Sequence, residues 1–146
     1  MRIFFDTSVL VAAIVTTHPA HEHVFPLLMQ VKQKVNTGVI AAHSLAELYV
    51  ILTRLPIRPR ISPALALELI QRDVVETCEI VALSVYDYLV MLQYLTRSHI
   101  AGAAVYDGLL LHAAWLANVD QVLTLNSSDF KRVYPALADK IVAPMA

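Results

Sequence analysis

The sequence is poor in cysteine and in glycine. A single thiol, Cys78, excludes a disulfide scaffold and a cysteine-built zinc site. The 3 glycines fall in neither a GxxxxGK nor a GxGxxG pattern, which argues against a phosphate-cradling loop. Charge is scarce as well: Asp, Glu, Lys and Arg make up 16% of the 146 residues, against roughly 25% in an ordinary globular domain. The 11 basic and 12 acidic side chains leave a net charge of −1. That balance excludes a binder held to nucleic acid by bulk charge, but not a local basic groove. Long clean apolar runs are also missing. Asp6, Glu47, Asp107 and His112 interrupt the apolar stretches before any reaches the about 18 residues of a membrane span. Asp6 likewise breaks the opening Met-Arg-Ile-Phe-Phe before it becomes the apolar core of a signal peptide. These absences lead us to expect a cytoplasmic protein with no membrane partner.

What is abundant is apolar surface. At 58% hydrophobic residues the chain is not disordered. With no repeat and no linker, we expect one domain spanning residues 1–146 around one compact core. Short apolar runs alternate with helical periods. Arg2 to Phe5, Val39 to Ala42, Ile80 to Leu83 and Gln121 to Leu125 read as strands, and Lys140 to Ala143 as a fifth. Ser62-Pro63 is an N-cap and first-turn pair, followed by Leu67, Ile70 and Val74 at helical spacing. Val85, Tyr88, Leu89 and Leu92 follow Ser84 in the same way, and Leu109, Ala113, Leu116 and Ala117 follow Asp107. Strands separated by helices predict a three-layer α/β/α fold with a central, mostly parallel sheet of four to five strands. Ligands of such sheets sit beyond the carboxyl ends of the strands.

With so few acids, their positions are informative. Asp6 lies between Ile3-Phe4-Phe5 and Val9-Leu10-Val11; Glu47 and Asp107 lie in segments apolar on nearly every face. A lone buried carboxylate is costly and takes a partner or a proton. None of the three has a Lys or Arg placed on its own helix to pair with it. Each also fits a capping role: Asp6 and Asp107 stand where N-caps stand, and Ser44-x-x-Glu47 has the form of a capping box. Ser84-x-x-Asp87 has the same form and is read as a cap alone. Convergence favours chemistry for the three. A residue ending a strand and residues in first turns of helices face one edge of a parallel sheet. Carboxylates gathered there repel one another unless a cation neutralises them, and hard oxygen ligands suit Mg²⁺ or Mn²⁺. Asp129, in Asn126-Ser127-Ser128-Asp129, is a fourth acid for that edge or the cap of a short turn.

Other constellations are weaker. Arg54, Arg58 and Arg60 form the densest basic stretch, and Lys131 and Arg132 follow Asp129. They are candidates for RNA contact, or solvated surface charges. His18, His21 and His23 are spaced poorly for one tetrahedral zinc and read as a polar loop and helix start. A haloacid-dehalogenase-type site needs a second Asp where Ser8 stands.

Four segments in order resemble a known family. Phe5-Asp6-Thr7-Ser8-Val9-Leu10, Ser44-Leu45-Ala46-Glu47-Leu48, Tyr106-Asp107-Gly108-Leu109-Leu110, and Leu123-Thr124-Leu125-Asn126 with Ser128-Asp129-Phe130 are similar to the acidic elements of PIN domains. The length is similar to that of stand-alone VapC-type toxins. The resemblance implies a PIN-like fold and a metal-dependent endoribonuclease, with Asp6, Glu47 and Asp107 binding Mg²⁺ or Mn²⁺ and Asp129 joining the catalytic set. Thr7, Ser8, Thr124 and Asn126 would be supporting polar groups. Many relatives carry an acid where this chain has Asn126, so either Asp129 substitutes or the Asn126 amide serves. The resemblance also implies an RNA substrate, a cognate antitoxin protein and a homodimer. The competing expectation is a catalytically inactive PIN-like module that only binds a partner.

Overall fold

A computed structural model of the chain describes residues 1–144. One sheet of five strands has the order β3-β2-β1-β4-β5, and every neighbouring pair is parallel. In chain order the strands are β1 (Arg2–Phe5), β2 (Thr37–Ala41), β3 (Cys78–Val81), β4 (Gln121–Leu123) and β5 (Ile141–Val142). Parallel neighbours need crossovers, and helices supply them. α1 (Thr7–Ile14) and α2 (His21–Lys32) lead from β1 to β2, and α3 (Ala42–Arg54) and α4 (Pro63–Ile70) from β2 to β3. α5 (Val85–Arg97) and α6 (Ala104–Leu116) lead to β4, and α7 (Ser127–Val133) to β5.

The period of two along β1 divides the core. Ile3 and Phe5 join Leu10, Leu28, Leu48 and Ile70 of α1 to α4 on one face of the sheet. Phe4 joins Met91, Leu111 and Phe130 of α5, α6 and α7 on the other. Each such buried side chain contributes about 1.5–3 kcal/mol of transfer free energy. The three layers are therefore those expected from the alternation of strands and helices. The chain runs outward from β1 to β2 and β3, then returns to the far side of β1 for β4. Helices leave β1 and β4 toward opposite faces, so a crevice opens above the carboxyl ends of these two strands.

Local chemistry explains several boundaries. The Ser62 hydroxyl accepts from the Leu65 N–H at 3.1 Å, with Pro63 in the first turn of α4. Ser84 and Asp87 form a reciprocal capping box at the start of α5. Three expectations are corrected. Ser44 and Glu47 form no capping box, because β2 runs straight into α3 at Ala42 and places Glu47 in the second turn. On α5 the residues in the core are Met91 and Leu95, while Val85, Tyr88, Leu89 and Leu92 face solvent. Leu67 of α4 is likewise exposed, whereas Ile70 and Val74 are buried. Both helices are apolar on more than one side, and periodicity alone does not say which side turns inward.

Candidate active site

Asp6 is the first residue beyond β1. It occupies the N-cap position of α1, yet makes no capping bond to the helix. Its Oδ2 accepts instead from Ser8 Oγ at 2.7 Å and from Thr124 Oγ1 at 2.8 Å. The sheet register brings the second donor into place: Phe5 pairs with Leu123, so the next residues of β1 and β4 lie opposite one another. The acceptor side of each hydroxyl is filled by the backbone. Ser8 Oγ accepts from the Leu125 N–H and Thr124 Oγ1 from the Asn126 N–H. Both hydroxyl protons are thereby aimed at Asp6. The carboxylate is 4% exposed and Thr124 fully buried, and no salt bridge reaches Asp6 among the described residues. Burial pushes the Asp6 carboxyl above its ordinary range, while the Ser8 and Thr124 hydroxyls oppose that shift.

Glu47 approaches from α3. Thr7 Oγ1 lies 3.4 Å from Glu47 Oε1 and 3.0 Å from Ser44 Oγ, which ties the first turn of α1 to α3. His43 Nε2 stands 3.7 Å from the same Glu47 oxygen. Partial burial raises the Glu47 carboxyl; His43 counters it, and the charge of Asp6 raises it further. Asp107 lies in the first turn of α6, half-buried. Gly108 follows it because α6 packs close against α5: a Cβ at this position would stand 2.8 Å from Met91 Sδ. Asp107 is pushed up to about 6, first by burial and then by the charges of Asp6, Asp129 and Glu47, with Arg132 opposing. Four acids from four elements thus share one electrostatic environment.

Asp129 is exposed in the first turn of α7 and pairs with Arg132 at 2.8 Å. Asn126 is exposed at the N-cap position of α7, and its side chain makes no capping bond there. Arg54, Arg58 and Arg60 are exposed and not drawn into the pit. Arg54 ends α3, about 10 Å farther along the helix than Glu47. Lys131 is exposed on α7. Among the described residues no three His, Cys, Asp or Glu side chains are grouped so that they could hold a metal ion as they stand. His43 is a residue of the site that the sequence reading did not single out, and Ser44 enters it in a different role from the one expected. His43 has a signal in the sequence, one helical turn before Glu47. Ser44 was expected as a cap and is instead fully buried against Thr7.

A buried Asp held by hydroxyls above a parallel sheet, whose charge raises the carboxyls of Glu47 and Asp107, defines an α/β protein with an acidic site. The model of the PIN domain family matches residues 3–135. Ribonuclease VapC40 of Mycobacterium tuberculosis is 36% identical over 106 residues, 72% of each chain. The fold is similar to that of VapBC2 from Rickettsia felis bound to a promoter DNA fragment, with a TM-score of 0.63 at 20% identity over 98% of this chain and 97% of that one. It is also similar to M. tuberculosis VapC20, a sarcin-ricin loop cleaving toxin, with a TM-score of 0.64 at 15% identity over 82% and 86%. The chain belongs to the PIN domain family.

Proposed function

We propose that the chain is a metal-dependent endoribonuclease, the toxin of a VapBC-type toxin–antitoxin pair. Its kinship with ribonuclease VapC40 supports the class. The observation that carries the chemistry is Asp6, buried on two hydroxyl donors without a cation and sharing its charge with Glu47 and Asp107. The donor set fits Mg²⁺ or Mn²⁺, since Asp6, Glu47 and Asp107 present carboxylate oxygens, with the His43 imidazole nearby at Glu47. Asp6, Glu47 and Asp107 would hold the ion, which when bound supplies charge neutralisation and Lewis-acid polarisation at the phosphate.

The chain's own residues do the rest. Ser8 and Thr124 fix the rotamer of Asp6, and Thr7 positions Glu47. A carboxylate of the pit accepts the proton that the attacking water loses. Asp129 fills the fourth acidic position, supported by its effect on the charge of Asp107. Asn126 supplies a neutral amide at the rim. Arg132, with Lys131 beside it, offers positive charge to an RNA phosphate, and Arg54, Arg58 and Arg60 serve a more distant stretch of backbone.

The partners follow the same reading. VapBC2 was solved as an assembly, which supports a cognate antitoxin for this chain. The apolar face of α5, with Val85, Tyr86 and Leu89 more than half exposed, supports a homodimer. No helix among the described residues is long and apolar enough to cross a membrane. We place the protein in the cytoplasm. Cleavage-site sequencing of cellular RNA after induced expression tests the function, with Asp6→Asn as control. Discrete new 5′ ends absent from the control are expected; identical RNA profiles would leave only the inactive binding module.

A further inference from the structure

Beside the acidic pit lies an open cavity of about 380 Å³ lined by His43, Ala46, Glu47, Val50, Ile51 and Tyr106. Its wall is apolar apart from Glu47 and the two rings. The imidazole of His43 and the phenol of Tyr106 are parallel to within 2°, with centroids 5.5 Å apart. That separation in parallel rings is an offset stack. Tyr106 is nevertheless 50% exposed, so part of its surface is free. Neither ring is needed by the core, and neither belongs to the hydroxyl network around Asp6.

From this geometry we propose that His43 and Tyr106 form a base-specificity subsite, which stacks one unpaired nucleobase of the RNA next to the bond being cut. The inference rests on the ribonuclease reading above and adds to it the two side chains that hold and select the base.

Three features commit the cavity to a base. The first is shape. Parallel rings accept a third flat ring on the exposed surface without either turning, and aliphatic side chains of Val50 and Ile51 close the flank. Stacking of splayed bases on aromatic side chains is the usual way a protein reads single-stranded RNA. The second is continuity with the pit. Glu47 belongs to both, and His43 Nε2 is 3.7 Å from its carboxylate. Tyr106 is the residue before Asp107, about 100° around α6 from it. A phosphate over the pit therefore has its neighbouring base within reach of this cavity. The third is edge chemistry. His43 lines the cavity, and an imidazole nitrogen can donate to or accept from a base edge, which allows preference as well as stacking.

The test is cleavage of a short RNA pool, randomised in sequence and single-stranded, by wild type, Tyr106→Ala, Tyr106→Trp and His43→Ala in Mg²⁺. Cleaved ends are sequenced, and circular dichroism confirms that each variant is folded. Wild type is expected to prefer one base, or one class of base, at a single position beside the cut. Tyr106→Ala is expected to lose that preference and to raise KM by about tenfold, the scale of one base–aromatic stack. Tyr106→Trp is expected to keep the preference, and His43→Ala to weaken it. Wild-type cleavage with an unaltered preference in Tyr106→Ala overturns the subsite and leaves the ribonuclease reading standing. So does a uniform loss of rate at all sequences, which marks a structural role. Unaltered RNA preference with impaired antitoxin binding reassigns the cavity to a protein side chain. Absence of cleavage by wild type overturns both readings.

Discussion

Thr124 Oγ1 donates to Asp6 Oδ2 at 2.8 Å across 118 residues of chain, with both side chains buried. This bond couples the ends of β1 and β4, the two strands whose helices depart to opposite faces. It also opposes burial, which raises the Asp6 carboxyl above its ordinary range. Thr124→Val keeps the shape and removes the donor. A hydrogen bond to a charged group contributes about 1.5–3 kcal/mol, so RNA cleavage should fall at least tenfold and Mn²⁺ affinity should weaken, read by calorimetry. Thr124→Ser should retain most of both. Equal behaviour of the Val and Ser variants would show that the hydroxyl does not tune Asp6.

Asp6→Asn and Asp107→Asn should each cut the cleavage rate by about 100-fold or more, the scale of a lost catalytic proton acceptor. Without metal, both variants should unfold at the same temperature as wild type or higher, because repulsion within the pit is relieved. A marked loss of thermal stability in both would return these acids to structural roles.

The charge on Asp107 has a sign that calorimetry can read. Its folded pKa of about 6 lies above the ordinary 3.8. The protonated form therefore favours the fold, and that contribution fades as pH rises through about 6. Asp107→Asn mimics the protonated form. In metal-free protein the variant should be more stable than wild type at neutral pH, with the gap narrowing as the pH falls below about 6 and closing only toward 3.8. A gap that does not change with pH contradicts the shift.

Asp87 is an acid of a different kind. Its carboxylate accepts from the Ser84 N–H at 2.9 Å in a capping box and lies 3.2 Å from His112 Nε2. Asp87→Asn should lower the unfolding temperature and leave cleavage at the wild-type rate. An inactive, folded variant would mean that caps and site acids have been sorted wrongly.

The exposed apolar face of α5 predicts association. Leu89→Glu should shift the protein toward monomer in sedimentation velocity while leaving its circular dichroism intact. A wild type already monomeric at high concentration removes the dimer.

The strand–helix alternation, the caps at Ser62 and Ser84 and the anomalous acids were legible in the sequence because each has a local cause. An unpaired carboxylate in an apolar segment is out of place wherever the segment ends up. The layer to which a helix commits its apolar residues is not local. α5 carries apolar residues on two sides, and the fold buries Met91 and Leu95 rather than the stripe beginning at Val85. The same holds for the partners of Asp6. Ser8 is a near neighbour, but Thr124 reaches it through the register of β1 with β4, which no spacing along the chain encodes. Glu47 lies deeper in α3 than its Ser44-x-x-Glu47 pattern implies, because β2 enters the helix without a capping turn.

If Asp6, Glu47 and Asp107 share one pit that a divalent ion makes tolerable, Mg²⁺ must stabilise the fold through them. Thermal unfolding of wild type and Asp107→Asn across a titration with MgCl₂ reads this. Binding to the native state alone raises the midpoint with ligand concentration. The midpoint should rise for wild type and stay flat or rise weakly for the variant. A flat wild type, or an equal rise in both proteins, would contradict it.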